Sequence, residues 1–303
     1  MIDIKGVVPV APTAFTDEEE LDLQSQRRIV DYLVDAGSDA MCILANFSEQ
    51  FSLTDEERES VISATMSQVD NRIPVCVTTS HYSARIAAAR SRRAQEQGAS
   101  MVMLMPPFAG SSMKVNEAGV VDYFKRVADN LDIPIMVQDA PMSPTPLSVQ
   151  LLARLAKEIP QVKYAKIEVA GAAEKIRNVI QAAGDALPGP FDGEESVTLI
   201  PDLEAGAQGT MSSAMIPDKL GQIVHKFLAG ERASAEEIWE DMLPLIQFEN
   251  RQCGLSATKI LMEEGTIIRS AKTRSPMSEV HPETRQQLLA LAKRKDAFIL
   301  RWS

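Results

Sequence analysis

The sequence of 303 residues predicts a (β/α)8 TIM barrel, an α/β fold of parallel strands with crossover helices. Three observations carry that expectation. Short apolar runs alternate with longer amphipathic ones eight times, at roughly the 30-residue spacing of a strand–helix–strand unit. The apolar runs are continuous, which fits strands covered on both faces. The first run leads into Pro9-Val10-Ala11-Pro12-Thr13, not the glycine-rich phosphate loop that an open doubly wound sheet places there.

The elements follow in order. Residues 7–11 are valine-rich and read as the first strand. Residues 21–36 read as a helix, with Ile29, Tyr32 and Leu33 on one face and Gly37 closing it. Residues 40–45 are the second strand. Thr54-Asp55-Glu56-Glu57 is a capping box that opens a helix to about residue 69. Strands at 73–79 and 101–105 alternate with helices at 84–97 and 117–130. Strands at 133–139 and 162–168 alternate with helices at 148–158 and 172–183. The seventh strand, 187–192, is the weakest, because Pro188 and Pro190 lack the donor a sheet needs. A helix at 196–205, a strand at 209–213 and a helix at 218–229 complete the pattern. After Gly230 only helical patterns remain, at 235–249, 258–264 and 282–295. Residues 1–230 therefore read as the barrel and 231–303 as a helical extension packed on it.

Composition narrows the function. Hydrophobic residues make up 45 % and charged residues 24 %, as in ordinary globular enzymes. A net charge of -11 argues against nucleic acid as a partner, since phosphate backbones need a basic surface. No export signal and no apolar run of membrane-spanning length is visible. Cys42, Cys76 and Cys253 stand at no metal-binding spacing and form no disulfide framework, which suits a reducing cytoplasm.

A barrel of this kind carries its site at the C-terminal ends of the strands. The sequence places Asn46, Phe47 and Ser48 after the second strand, and His81 and Tyr82 after the third. Gln138 ends the fifth, Lys166 and Glu168 the sixth, Glu194 follows the seventh and Ser213 ends the eighth. Within Tyr164-Ala165-Lys166-Ile167-Glu168, alternation puts Tyr164, Lys166 and Glu168 on one face. A lysine buried there with a lowered pKa is a nucleophile for a carbonyl; a lysine reaching solvent from a strand end fits the same spacing. Glu168 reads either as its ion-pair partner or as a proton carrier. His81 reads as a proton carrier, a carboxylate ligand or a structural histidine. It has no partner at metal spacing, so no metal is expected. Asp192, Glu194 and Glu195 read as a solvated loop or a hard-cation site.

Several of these strings resemble the dihydrodipicolinate synthase / N-acetylneuraminate lyase family along essentially the whole chain. Pro12-Thr13-Ala14-Phe15 with Leu21-Asp22 is similar to that family's opening strand, Tyr164-Ala165-Lys166-Ile167-Glu168 to its Schiff-base strand, and Arg274-Ser275-Pro276-Met277 to its C-terminal signature. The resemblance implies a class I lyase with a covalent Schiff base on Lys166 and no cofactor. Departures are as informative. The family's Gly-x-x-Gly-Glu loop reads Ala45-Asn46-Phe47-Ser48-Glu49 here, and its proton-shuttling tyrosine falls at Gln138. Condensing and aldol activities are thereby put in question.

The strings 43–51, 77–83, 136–141, 192–195 and 248–252 are similar to the family's sugar-acid dehydratases. They imply a homotetramer that dehydrates a five-carbon 2-keto-3-deoxy sugar acid to 2-oxoglutarate semialdehyde. In that reading Lys166, Glu168 and His81 are catalytic. Asn46, Phe47, Ser48, Tyr82, Gln138, Glu194 and Ser213 hold the substrate. A 2-keto-3-deoxy acid aldolase, a dehydratase of six-carbon 5-keto-4-deoxyglucarate and a non-enzymatic sugar-acid sensor remain the alternatives.

Overall fold

Eight strands form one parallel sheet in the computed structural model, which describes residues 4–110 and 113–302. Residues 1–3, whose sequence suggests no export signal, lie outside that range. The strands are β1 (Gly6–Val7), β2 (Met41–Ile43), β3 (Val75–Thr78), β4 (Met101–Leu104), β5 (Ile135–Asp139), β6 (Val162–Ile167), β7 (Phe191–Asp192) and β8 (Gly209–Thr210). The helices between and after them are α1 (Leu23–Asp35), α2 (Asp55–Val69), α3 (Ala84–Glu96), α4 (Glu117–Ala128), α5 (Val149–Glu158), α6 (Ala172–Ala183), α7 (Leu199–Glu204) and α8 (Pro217–Leu228).

Strands consecutive in sequence are neighbours from β2 to β8, and β8 pairs with β1. The circle closes just past β1. Val10 bridges Cys42, the Ala11 N–H donates to the Cys42 carbonyl at 2.8 Å, and the Cys42 N–H donates to the Pro9 carbonyl at 2.9 Å. The expected TIM barrel is the fold of this chain.

Strand alternation builds two cores. Cys76, Met101, Met103, Met136, Tyr164 and Phe191 fill the barrel interior. The residues between them, such as Val75, Val77, Val102, Leu104 and Val137, join the layer under the helices. Burial on both faces is why the strands read as continuous apolar runs. All eight strands are shorter than the sequence suggests, and for two of them the cause is plain. β7 begins only at Phe191, after the two prolines that cannot donate to a ladder. β8 lies so close to β1 that a Cβ at Gly209 would stand 1.9 Å from the Gly6 carbonyl oxygen. Only glycine permits that approach.

The expected capping box at the start of α2 is present: the Glu57 N–H donates to Thr54 Oγ1 at 3.2 Å, and the Thr54 N–H donates to Glu57 Oε2 at 2.9 Å. The same Glu57 carboxylate takes both Nη atoms of Arg274, from the far end of the chain. One side chain thus caps a barrel helix and anchors the C-terminal segment.

That segment comprises α9 (Arg232–Phe248), a π-turn (Glu249–Cys253), α10 (Ser256–Glu264), α11 (Pro282–Arg294) and a 3-10 turn (Phe298–Leu300). The π-turn and the last turn have no counterpart in the sequence pattern. The firmest tie to the barrel is buried. Lys259 of α10, fully inaccessible, donates to Glu49 Oε1 at 2.5 Å and to the Lys272 carbonyl at 2.7 Å. The other oxygen of Glu49 accepts from the Arg274 N–H at 2.9 Å. Lys259 and Arg274 both lie 4.4 Å from the centre of the Phe15 ring, a cation–π arrangement. Burial pulls the Lys259 pKa down, and the Glu49 carboxylate resists it.

Removing one member of such a pair strands the other charge in the interior, at a cost of about 3–5 kcal/mol. Lys259→Ala is therefore expected to lower the thermal unfolding midpoint by several degrees. Lys226→Ala, which removes an ion pair exposed on α8, is expected to leave it nearly unchanged. Parallel melting curves decide the point.

Candidate active site

A cavity of ≈ 520 Å³ opens at the C-terminal ends of the strands. Its floor is set by strand register. Gln138 of β5 is paired with Lys166 of β6, and alternation turns both toward the barrel axis, with Glu168 one step above. Lys166 is 3 % exposed. Its Nζ contacts Glu168 Oε1 in an ion pair. Gln138 Nε2 donates to the same Glu168 oxygen at 2.9 Å. The Gln138 carbonyl oxygen is buried and has no partner among the described residues.

Burial alone pulls the Lys166 pKa down. The carboxylates that face it, Glu168 first, outweigh burial and hold the amine above its usual value. The expectation of a lowered pKa is thus reversed in the open site: counter-charge wins over desolvation, and the amine rests as an ammonium. Lys163, on the opposite face of β6, is half-buried outside the cavity.

The far wall comes from the turn after β7. Buried Asp192 braces it, accepting from the Glu194 N–H at 3.1 Å, the Ser196 N–H at 3.1 Å and Thr210 Oγ1 at 2.6 Å. These bonds hold Glu195 and Ser196 at φ of 53° and 67°, left-handed values that non-glycine residues adopt only under constraint. The strained turn aims Glu194 and Glu195 into the cavity. Burial pushes the Glu195 carboxyl well up; the ammonium of Lys166 opposes this, while Glu249 and Glu168 add to it. Glu195 thus faces the Lys166–Glu168 ion pair across the cavity with its carboxyl pKa well above the usual value. Among the described residues no group of three or more His, Cys, Asp or Glu side chains, Asp192, Glu194 and Glu195 included, is placed to hold a metal ion.

Of the residues singled out in the sequence, Asn46, Phe47, Gln138, Lys166, Glu168 and Glu194 line this one cavity. Four others do not. Ser48 is buried beneath its turn, donating to the Ala11 carbonyl at 2.6 Å and accepting from the Ala45 N–H at 3.1 Å. Its hydroxyl shapes the loop. Ser213 donates its hydroxyl to Glu249 Oε2 at 2.8 Å, behind the wall. His81 and Tyr82 border a separate small pocket with Phe51 and Phe108, because the chain leaving β3 turns outward to start α3. His81 Nδ1 there accepts from the Ser83 N–H at 2.9 Å, and burial with the nearby Arg90 lowers its pKa. Conversely, Glu195, Asn250 and Arg251 line the cavity, although the sequence reading gave none of them a catalytic or substrate-binding role. The acidic string after β7 was a signal for Glu195. Asn250 and Arg251 arrive on the π-turn, which leaves no mark in residue periodicity.

The model of the dihydrodipicolinate synthetase family matches residues 3–295. The chain belongs to this family. Among family members, it is 52 % identical over 299 residues to an L-2-keto-3-deoxyarabonate dehydratase from Azospirillum brasilense, covering 99 % of this chain and 97 % of that one. A 4-hydroxy-tetrahydrodipicolinate synthase from Oceanobacillus iheyensis is 26 % identical, with 93 % and 94 % covered. The crystal structure of dihydrodipicolinate synthase from Aquifex aeolicus superposes with a TM-score of 0.90 at 23 % identity, over 97 % of this chain and 98 % of that one, and speaks to the fold alone. The family barrel and its C-terminal helices are thus both present here.

Gly193 keeps the site compact. A Cβ at this position would lie 2.5 Å from Glu168 Cγ and 2.8 Å from Lys166 Cγ. Gly193→Ala is expected to keep the far-ultraviolet circular dichroism of the parent while lowering its catalytic activity by at least about tenfold, as displacements near 1 Å do at reacting centres. Activity at the parental rate would show that the two side chains tolerate displacement.

Proposed function

We propose that this family member dehydrates L-2-keto-3-deoxyarabonate to 2-oxoglutarate semialdehyde through a Schiff base on Lys166. The observation that carries the proposal is the floor of the cavity. A buried lysine touches a carboxylate, and the neighbouring strand offers Gln138, which cannot exchange a proton. The 52 % identity to the Azospirillum dehydratase supports the substrate.

In the proposed scheme Glu168 and Glu195 carry the protons up to release of the product enol. Lys166 first gives its extra proton to Glu168, with which it is in contact, and the free amine attacks the C2 ketone. Glu168 returns the proton as the carbinolamine loses water, leaving a cationic iminium beside a carboxylate. The iminium acidifies C3, and Glu168 removes a C3 proton to give the enamine. Collapse of the enamine expels the C4 hydroxyl, which leaves as water with the proton of neutral Glu195. Glu195, now a carboxylate, removes a proton from C5 of the conjugated iminium. Glu168 then protonates C3 of the resulting dienamine. Hydrolysis of the iminium restores the Lys166 ammonium and releases the C4–C5 enol of the product, which tautomerises to the aldehyde. Both carboxyl groups end as they began, and the net change is loss of one water.

Binding follows from the same wall. The unpartnered carbonyl oxygen of Gln138 is an acceptor for a substrate hydroxyl. Arg251 and Lys166 are the two cations among the lining residues, and with Asn46 they favour an anionic sugar acid. The iminium supplies the electron sink, so the route needs no metal. Residues 231–303 are read as an extension completing the barrel mouth. A cytoplasmic homotetramer completes the proposal: its support is the family membership and the three cysteines, none of which forms a disulfide.

Borohydride trapping with L-2-keto-3-deoxyarabonate, followed by peptide mass spectrometry, is expected to place one adduct on Lys166 and none on Lys163. The reaction product is expected to be the five-carbon semialdehyde; a 2-keto acid with a shorter aldehyde as main products would establish an aldolase instead, and binding without turnover a sensor. Glu168→Gln is expected to lower kcat by about 10²–10⁴, the usual contribution of a general base. An adduct on Lys163, or none, overturns the assignment of Lys166.

A further inference from the structure

Behind the cavity wall lies a second carboxyl group that the reaction scheme does not use. Glu249 is 2 % exposed, and among the described residues no lysine, arginine or histidine forms an ion pair with it. A carboxyl group buried without a counter-charge is costly, and here it is held by hydroxyls. Ser213 Oγ donates to Glu249 Oε2 at 2.8 Å, and Thr258 Oγ1 donates to Oε1 at 3.1 Å. Ser213 has a second bond. Its N–H donates to Glu195 Oε2 at 2.5 Å. One serine therefore bridges two carboxyl groups, one facing the substrate and one sealed behind it.

The backbone is built to make that bridge. α9 does not continue regularly but ends in the π-turn Glu249–Cys253. The widened turn points Glu249 inward at Ser213 while Asn250 and Arg251 join the cavity lining. Such turns are rare and concentrate at functional sites.

We propose that Glu249 is a positioning residue which, acting through Ser213, holds the Glu195 carboxyl in place and keeps it in its acid form for departure of the C4 hydroxyl. This rests on the reading of Glu195 as that acid. The charged and titratable groups facing Glu195 are Lys166 and Glu168 from β6 and Glu249 from the end of α9, with Asp192 and Glu194 in its own segment. Cys253 is the other titratable group that feels Glu249. Of these charges Lys166 favours ionisation of Glu195, and Glu249, ahead of Glu168, opposes it. Burial raises its pKa to about 7. As pH rises through that value Glu249 becomes an anion, and an anion behind Glu195 opposes its ionisation. The acid form is thus retained to higher pH than it would be without Glu249.

The test is the pH profile of kcat for Glu249→Gln, which keeps shape and hydrogen bonding but removes the charge. The alkaline limb, where Glu195 loses its proton, is expected to move down by about one pH unit, with KM and borohydride trapping on Lys166 little changed. Ser213→Ala, which removes the hydroxyl link and leaves the N–H, is expected to move the limb the same way. It carries the test if Glu249→Gln does not fold. Profiles that superimpose on the parent overturn the inference, whether or not kcat falls uniformly, because a purely structural role would lower activity at all pH values alike. Glu195→Gln separates this from the underlying reading: full dehydration by that variant removes Glu195 as the acid, and this inference with it.

Discussion

A primary amine cannot sit inside a barrel as an ammonium unless something cancels its charge. Lys166 is nearly inaccessible, and the group that cancels it is Glu168, two residues along the same strand and on the same face. Much of the surrounding architecture follows from that pairing. Gln138 is placed by register to hold the Glu168 carboxylate, Gly193 has no side chain where both side chains need room, and the strained turn after β7 supplies a second carboxyl group opposite the first. The pair also sets the resting chemistry. An ion-paired amine is not a nucleophile, and in the proposed route its proton passes to the carboxylate it already touches.

The C-terminal extension belongs to the site as much as to the fold. Glu49 follows the turn that presents Asn46 and Phe47 to the cavity, and it is gripped by Lys259 and Arg274 from the far end of the chain. The π-turn after α9 delivers Glu249, Asn250 and Arg251 to the opposite wall. Residues more than 200 positions from Asn46 thereby fix both ends of the mouth. The cost of burying Lys259 and Glu49 is offset by two hydrogen bonds to each and by the Phe15 ring that both cations approach. Such a pair is weak evidence of stability on its own. Its value here is register, since it locks one loop in one place.

How legible all this was in the sequence depended on whether the controlling forces were local. Burial on both faces leaves continuous apolar runs, so the strands and the closed barrel could be read. A capping box is four consecutive residues, so the start of α2 was correct to the residue. Alternation along one strand placed Tyr164, Lys166 and Glu168 on the inner face. Strand ends were less legible: β7 is cut short by Pro188 and Pro190, and β8 is limited by a close approach of Gly209 to Gly6 that depends on a strand some 200 residues away. Proximity to a strand end also proved insufficient for Ser48, His81, Tyr82 and Ser213. Their side chains are spent on the protein itself or turned outward by the backbone beyond the strand. The charge state of Lys166 was not legible either, because it depends on which of burial and counter-charge prevails, and that is decided by distances.

The two carboxyl groups also explain why a glutamine suits position 138. Aldol cleavage needs a base at the C4 hydroxyl, to draw off its proton as the C3–C4 bond breaks. Dehydration needs the opposite at the same oxygen, an acid that lets it leave as water. In the proposed route Glu168 beside the lysine is the base at C3 and Glu195 across the cavity the acid at C4, which is the pairing dehydration requires. An ionisable group at position 138 would share the Glu168 oxygen that Gln138 now holds, and would compete for the C3 proton or deprotonate the C4 hydroxyl. An amide holds the carboxylate without exchanging a proton. On this argument the choice between cleavage and dehydration lies in which oxygen-facing groups carry a proton when the enamine forms, and the Schiff-base lysine is indifferent to it.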